Sequence, residues 1–232
     1  FEYGLRSGIW RIFDALDKYN IKATFSCCSL ALEKSPWLIE EILNRKHEIS
    51  AHGVKWISHA YFSREEEKKI INECYSSILK LSGRPPLGWH TKSSTSPFTR
   101  DLLIEHGGFM YDSNAYNDDI PYVIRQNDRK FVIIPYSFDT NDMRFDGNNG
   151  FVQGDDFNTY CKESFNQLLS ETDDGSLRMM SIGLHPRIIG RPGRIKGLED
   201  FIKHIKTYQN VWIPTRIDIA KHCLEKDLFN FF

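Results

Sequence analysis

Two histidines stand where an imidazole could move protons. His52 follows Glu48-Ile49-Ser50-Ala51 and precedes Gly53, which lets the backbone turn sharply and leaves the ring at a strand mouth. His185 closes the apolar stretch Ile182-Gly183-Leu184 ahead of Pro186. Near neutral pH an imidazole serves as base, acid or metal ligand. Either ring could instead simply end a loop, but both are expected to project from strand ends of one sheet. The densest polar cluster is Asp139-Thr140-Asn141-Asp142-Met143-Arg144. An aspartate there could orient a histidine or accept N–H groups of a substrate, although Asx-rich loops also arise from plain turn chemistry. Asp118-Asp119 could meet a cation or urea-like donors, or lie in a solvated loop. The loop Gly190-Arg191-Pro192-Gly193-Arg194 could bind an anion ahead of a helix, or only turn the chain. Trp56, Trp89 and Tyr116 could line a pocket or pack. The charge run Arg64 to Lys69 reads as a solvated helix face.

Alternating helices and strands must position these groups. Ile9, Ile12, Phe13 and Leu16 fall at helical spacing, and a strand is expected over Lys22 to Cys27. Ser35-Pro36 reads as an N-cap with proline at the first helical position, with Leu38, Ile42 and Leu43 as the apolar face. Glu48 to Ala51 reads as a strand. Ser63 and Glu66 form a capping box, followed by a stripe of Ile70, Ile71, Cys74, Tyr75, Ile78 and Leu79 that Gly83 stops. Further strands are expected over Leu87 to His90 and Phe109 to Asp112, with a helix starting at Ser96-Pro97 between them. Tyr122 to Gln126 and Lys130 to Tyr136 read as a hairpin turning at Asn127-Asp128. Helices follow over Asp155 to Leu169, through Ile195 to Ile205, and from Asp218. Met179 to Leu184 and Val211 to Ile213 read as strands. The alternation implies a mostly parallel sheet under helices, with functional groups at strand C-termini.

The 232 residues suit one sizeable domain, and 41% hydrophobic with 26% charged residues is ordinary for a globular protein. A net charge of -1 provides no field for nucleic acid or an anionic membrane. No apolar run is long enough to span a bilayer. Five cysteines without a C-x-x-C pair argue against a disulfide framework or structural zinc site, and for a reducing, cytoplasmic setting. The chain opens at Phe1 and soon enters a helix with no earlier strand to pack on, so an N-terminal piece is expected to precede it.

Several segments in this order carry a family likeness. They are Glu2-Tyr3-Gly4, Ala51-His52-Gly53 through Trp56-Ile57, Leu87-Gly88-Trp89, Ser96-Pro97, Gly107-Gly108-Phe109 with Tyr111-Asp112-Ser113, and Asp118-Asp119-Ile120-Pro121-Tyr122. The most specific are Ile134-Pro135-Tyr136 leading into Asp139 to Phe145, and Gly183-Leu184-His185 leading into Arg187 and Ile189 to Arg194. Taken together they resemble the polysaccharide-deacetylase (NodB-homology) superfamily, and within it the branch of metal-independent allantoinases.

The resemblance implies an α/β fold, a distorted (β/α) barrel with fewer than eight strands. It would be one catalytic domain over 1–232, with its first strand and first acidic motif upstream of Phe1. Ordinary members bind a divalent metal through an early aspartate and two histidines four residues apart. His52 matches the first histidine, but Trp56 takes the place of the second and offers no lone pair. His59 stands seven residues from His52. No cofactor is therefore expected, a divalent metal such as zinc being the alternative. His185 matches the family's late strand-end histidine, its general acid. The implied reaction is hydrolysis of a non-peptide C–N bond, with allantoin opened to allantoate. His52, His185 and Asp142 would be catalytic, and Trp56, Trp89, Asp112, Asp139, Asn141, Arg144, Arg187 and Arg191 would bind substrate. The partner would be a small cyclic amide, neither nucleic acid nor membrane, in a homo-oligomer. The rival readings are a metal-dependent deacetylase of N-acetyl sugars such as chitin or peptidoglycan, another cyclic amide or imide hydrolase, and an inactive binding relative.

Overall fold

A computed structural model describes residues 2–126, 128–147 and 150–226. The chain divides into two compact units, each made of two stretches: Phe1–Ile21 with Tyr136–Ile213, and Lys22–Pro135 with Pro214–Phe232.

The second unit carries the sheet. Its strands are β1 (Thr24–Cys27), β2 (Glu48–Ala51), β3 (Gly88–Trp89), β4 (Tyr111–Asp112), β5 (Tyr122–Gln126) and β6 (Arg129–Ile133), in the order β1-β2-β3-β4-β6-β5. All neighbouring pairs are parallel except the hairpin β5–β6, so the sheet is mostly parallel, as expected, and unclosed. Asn127, half of the anticipated turn, lies outside the described residues; Asp128 takes a positive φ of 60°. The crossovers hold α2 (Ser29–Lys34) and α3 (Pro36–Asn44), then α4 (Arg64–Ser82), then α5 (Thr99–His106). The helix α8 (Arg216–Lys226) returns to β5 and β6.

Local signals explain most of these elements. Ser63 and Glu66 close the capping box on α4, and the helix ends at Gly83 in the left-handed region. Ile71, Cys74 and Ile78 are buried, whereas Leu79 is 38% exposed. Ser35 occupies the cap position of α3 but makes no side-chain cap bond, so Pro36 alone marks that start. Ser96 and Pro97 precede α5 without entering it; the Ser96 hydroxyl accepts the Phe98 N–H at 2.9 Å. The charge run 64–69 is not wholly solvated, because Glu67 is fully buried.

The first unit is mainly helical. A five-residue π-helical stretch, Gly4–Gly8, runs into α1 (Ile9–Lys18), which packs on α7 (Pro192–Ile205); α7 in turn packs on α6 (Gly154–Ser170). The strands anticipated over 179–184 and 211–213 do not form. Gly183 makes only a single parallel bridge to Asn141. Residues 179–184 are mostly half-buried, and Trp212 is 59% exposed. Among the described residues no helix is long and apolar enough to cross a membrane.

Candidate functional site

In the sheet-bearing unit, the parallel ladder aligns the strand C-termini. His52 N–H donates to Cys27 O at 2.9 Å, His90 N–H to Ala51 O at 3.0 Å, and Ser113 N–H to Trp89 O at 2.9 Å. His52 and His90 therefore sit side by side just past β2 and β3. Their rings stack with centroids 5.2 Å apart and planes 12° apart. His52 Nδ1 bonds the His90 carbonyl, and His90 Nδ1 bonds the Ser113 carbonyl at 2.7 Å. A carbonyl can only accept, so both Nδ1 atoms carry hydrogen, and in the neutral form of each ring the lone pair is at Nε2.

Gly53 makes the turn after His52, at φ +78°, and a Cβ there would meet His59 Nε2 at 3.3 Å. His59 is held from beneath. Its Nδ1 bonds Glu67 at 2.8 Å, and Glu67 also accepts from Thr99 at 2.6 Å and from Ser96. Burial pushes the Glu67 carboxyl up, but the bonds from His59, Ser96 and Thr99 outweigh it and keep it below its ordinary value. His59 thus braces the loop carrying His52.

Several expected substrate contacts have other duties. Trp89 is fully buried against His59 and Phe109, with its Nε1 on Thr91 Oγ1 at 2.8 Å. Asp112 is likewise fully buried, accepting from Arg100 Nε at 2.8 Å and Asn114 N–H at 2.9 Å. Both therefore hold the strand ends and present no surface to a ligand. Trp56 is half-buried with the Lys92 ammonium 4.7 Å from its ring centre. Asp118 and Asp119 are exposed, with Asp118 bonded to the next N–H in plain turn chemistry. Arg216 was not legible in the sequence. It lies about 100 residues from its partner Ser113, whose Oγ accepts its Nη1 at 2.9 Å, so no local pattern marks it.

The other imidazole is prepared within the helical unit. Asp142 opens a 3-10 turn (Asp142–Asp146), and its N–H donates to Gly183 O at 2.9 Å. Its Oδ1 accepts His185 Nδ1–H at 2.6 Å; its Oδ2 accepts the backbone N–H of His185 at 2.7 Å and of Ile189 at 3.1 Å. Asp142 has no exposure, while the His185 side chain is 21% exposed. Asp142 therefore holds the His185 ring in place and has no exposed surface of its own. The carboxylate fixes the ring's tautomer and orientation. Gly183 permits the underlying bridge, because a Cβ there would lie 2.2 Å from Tyr136 Oη and 2.4 Å from Asn141 Nδ2.

The remaining expected binders in this unit mostly brace loops. Asn141 is buried, accepting from Met143 N–H at 2.8 Å and donating to Tyr136 Oη at 2.9 Å. Arg144 lies over the rings of Phe151 and Tyr160 at 4.4 and 4.3 Å and donates to Asp139 O at 3.1 Å. Arg191 lies over Tyr3 at 3.6 Å, a ring whose hydroxyl accepts from Arg11 at 2.7 Å. The Asp139 side chain is exposed, and Arg187 is half-buried with Nη2 3.3 Å from Met143 Sδ.

Cysteine chemistry finds little support. Burial pushes the thiols of Cys28 and Cys223 up to about 11 and those of Cys74 and Cys161 up to about 12, which keeps them neutral. Among the described residues, no three His, Cys, Asp or Glu side chains gather closely enough to hold a metal ion. His59 is turned to Glu67, and Trp56 has no donor to offer. This donor set does not fit a divalent ion.

A sequence model of the polysaccharide deacetylase family matches residues 1–97. A Schizosaccharomyces pombe protein provisionally named a polysaccharide deacetylase is 34% identical over 95% of this chain and 74% of its own length. The crystal structure of a polysaccharide deacetylase from Pseudomonas aeruginosa, also so named provisionally, superposes with a TM-score of 0.94 at 38% identity, over 99% of this chain and 76% of that one. The crystal structure of the allantoinase PuuE superposes with a TM-score of 0.94 at 39% identity, over the same shares of the two chains.

Proposed function

The chain belongs to the polysaccharide deacetylase family of hydrolases, and within that chemistry we propose that it opens the cyclic amide of allantoin to give allantoate. The observation that carries this reading is the Asp142–His185 pair. A buried carboxylate grips Nδ1–H of a partly exposed imidazole, which makes Nε2 the nitrogen that exchanges protons. Hydrolysis of an amide needs such a group, because the nitrogen departs only once protonated. Water adds through its oxygen to the ring carbonyl carbon, the C–N bond breaks, and His185 as imidazolium gives its Nε2 proton to the leaving nitrogen. Water's proton passes to a general base, for which His52 is the candidate within the sheet-bearing unit; solvent returns that proton to His185, and the acid product ionises to allantoate, so each turnover consumes one water and releases one proton.

No step is routed through a metal, since the donors among the described residues do not fit one. Orientation and proton transfer would then supply the rate; well-oriented reactants gain on the order of 7–11 kcal/mol. Similarity to the allantoinase PuuE over nearly the whole chain supports the cyclic substrate. The test follows allantoin loss and, in parallel, acetate release from N-acetylglucosamine oligomers. Allantoin should be consumed without acetate, and His185→Asn should lower turnover about 10²- to 10⁴-fold. Acetate release alone would replace this reading with the sugar deacetylase, and unchanged turnover in the variant would remove His185 from the reaction.

A further inference from the structure

We propose that His90 is a positioning residue that decides which nitrogen of His52 carries the proton. The inference rests on the reading of His52 as a proton acceptor and extends it to a neighbour with no assigned role. His90 is tied on three sides. Its N–H donates to Ala51 O at 3.0 Å, beside His52 in the chain; its carbonyl accepts His52 Nδ1–H; its own Nδ1–H donates to Ser113 O at 2.7 Å. On either side, Trp89 Nε1 is bound by Thr91 Oγ1 at 2.8 Å, and the Thr91 N–H by Asn114 Oδ1 at 2.7 Å. The carbonyl facing His52 is thus held in place by strand and loop together.

The opposite tautomer of His52 would set a lone pair against that carbonyl oxygen, an unfavourable contact between two acceptors. The ring of His90, 5.2 Å away and 12° from parallel, limits rotation of the His52 ring about its bond. Carbonyl and ring therefore act together: one selects Nδ1–H and the other keeps the plane. The lone pair is left at Nε2.

The experiment uses the full-length protein, labelled with ¹⁵N-histidine, as wild type, His90→Asn and His90→Phe. Asparagine keeps a donor near the Nδ1 place and removes the ring face; phenylalanine keeps the face and removes the donor. Ring ¹⁵N shifts read the His52 tautomer, and steady-state kinetics on allantoin separate kcat from KM. In wild type, His52 should show the Nδ1–H form. Each variant should mix in the Nε2–H form and lower kcat about 10- to 100-fold with KM little changed. A single Nδ1–H form in both variants overturns the proposal, as does a tautomer change with unaltered kcat, or a loss confined to KM. If one variant does not fold, the other decides. If wild type leaves allantoin closed, the substrate reading fails and the tautomer measurement alone judges His90.

Discussion

Asp142 spends both carboxylate oxygens on one turn of chain: Oδ1 on the His185 ring, Oδ2 on the N–H groups of His185 and Ile189. In Asp142→Asn, an amide NH₂ replaces one acceptor, so either the ring or the backbone faces a donor. We expect kcat to fall about 10²- to 10⁴-fold with a small change in KM, and stability to drop by about 1–3 kcal/mol for the unmet buried group. Kinetics with a denaturant melt would read both, and a variant of near-normal kcat would show that the pair is only structural. Gly183 gives a packing counterpart. The methyl of Gly183→Ala would press on Tyr136 Oη and Asn141 Nδ2, and overpacking of this kind costs about 1–3 kcal/mol. A melting temperature equal to wild type would show that the bridge yields easily. At this scale the sequence reading was strongest where chemistry was explicit: an aspartate able to orient a histidine was read from Asp139 to Arg144, and the structure singles out Asp142. It failed where a polar or aromatic type said nothing of its surroundings. Trp89 and Asp112 are buried beyond reach, a burial set by folding and not by residue type.

Strand β2 carries His52 past one end and Glu48 at the other. Glu48 accepts from Thr24 at 2.6 Å, Tyr111 at 2.7 Å and Ile217 N–H at 3.0 Å, which ties β1, β4 and α8 together. Burial raises its carboxyl above the ordinary value, more than those three bonds lower it. A raised folded value means that its contribution to stability is full below the unfolded glutamate value, about 4.3, and is lost as pH rises through the folded value. Glu67 on α4 shows the opposite sign: its folded value is lowered, so its contribution is present above the unfolded value and is lost as pH falls through the folded one. Melts from pH 3 to 8 should therefore separate two variants. The stability of Glu48→Gln relative to wild type should climb with pH, whereas that of Glu67→Gln should decline with pH; parallel curves for both would contradict these assignments. The same elements show what local pattern conveys. The capping box Ser63–Glu66 was legible because its partners are three residues apart. Glu67, one residue on, was read as solvated because Ser96 and Thr99 are distant in sequence. Apolar runs over 179–184 and 211–213 were read as strands, but a strand needs a neighbour, and periodicity does not reveal one.

Over the whole molecule, the order of helices and strands was legible because a parallel sheet demands crossovers of helical length, and β1 to β4 are joined in that way. The interleaving of two units, each drawn from two stretches, left no mark in composition: the passages at residues 21–22, 135–136 and 213–214 carry no long polar linker. The protein-wide question is then whether hydrolysis needs an ion. Zinc sites are normally built from three or four N, S or O donors converging within about 2.0–2.3 Å of the metal. Here four described histidines, His52, His90, His59 and His185, are committed through Nδ1 to a carbonyl or a carboxylate, and among the described residues no group of three His, Cys, Asp or Glu side chains gathers to hold a metal ion. Nδ1 bonding alone would suit a metal ligand, since it orients the ring for coordination through Nε2, so the question falls to experiment. Full-length protein dialysed against a strong chelator, with its metal content checked by mass spectrometry, should therefore open allantoin at the untreated rate, and added zinc should give no increase. Activity lost on chelation and restored by about one equivalent of zinc would show that donors outside the described set complete a metal centre, and the metal-free mechanism would have to be abandoned.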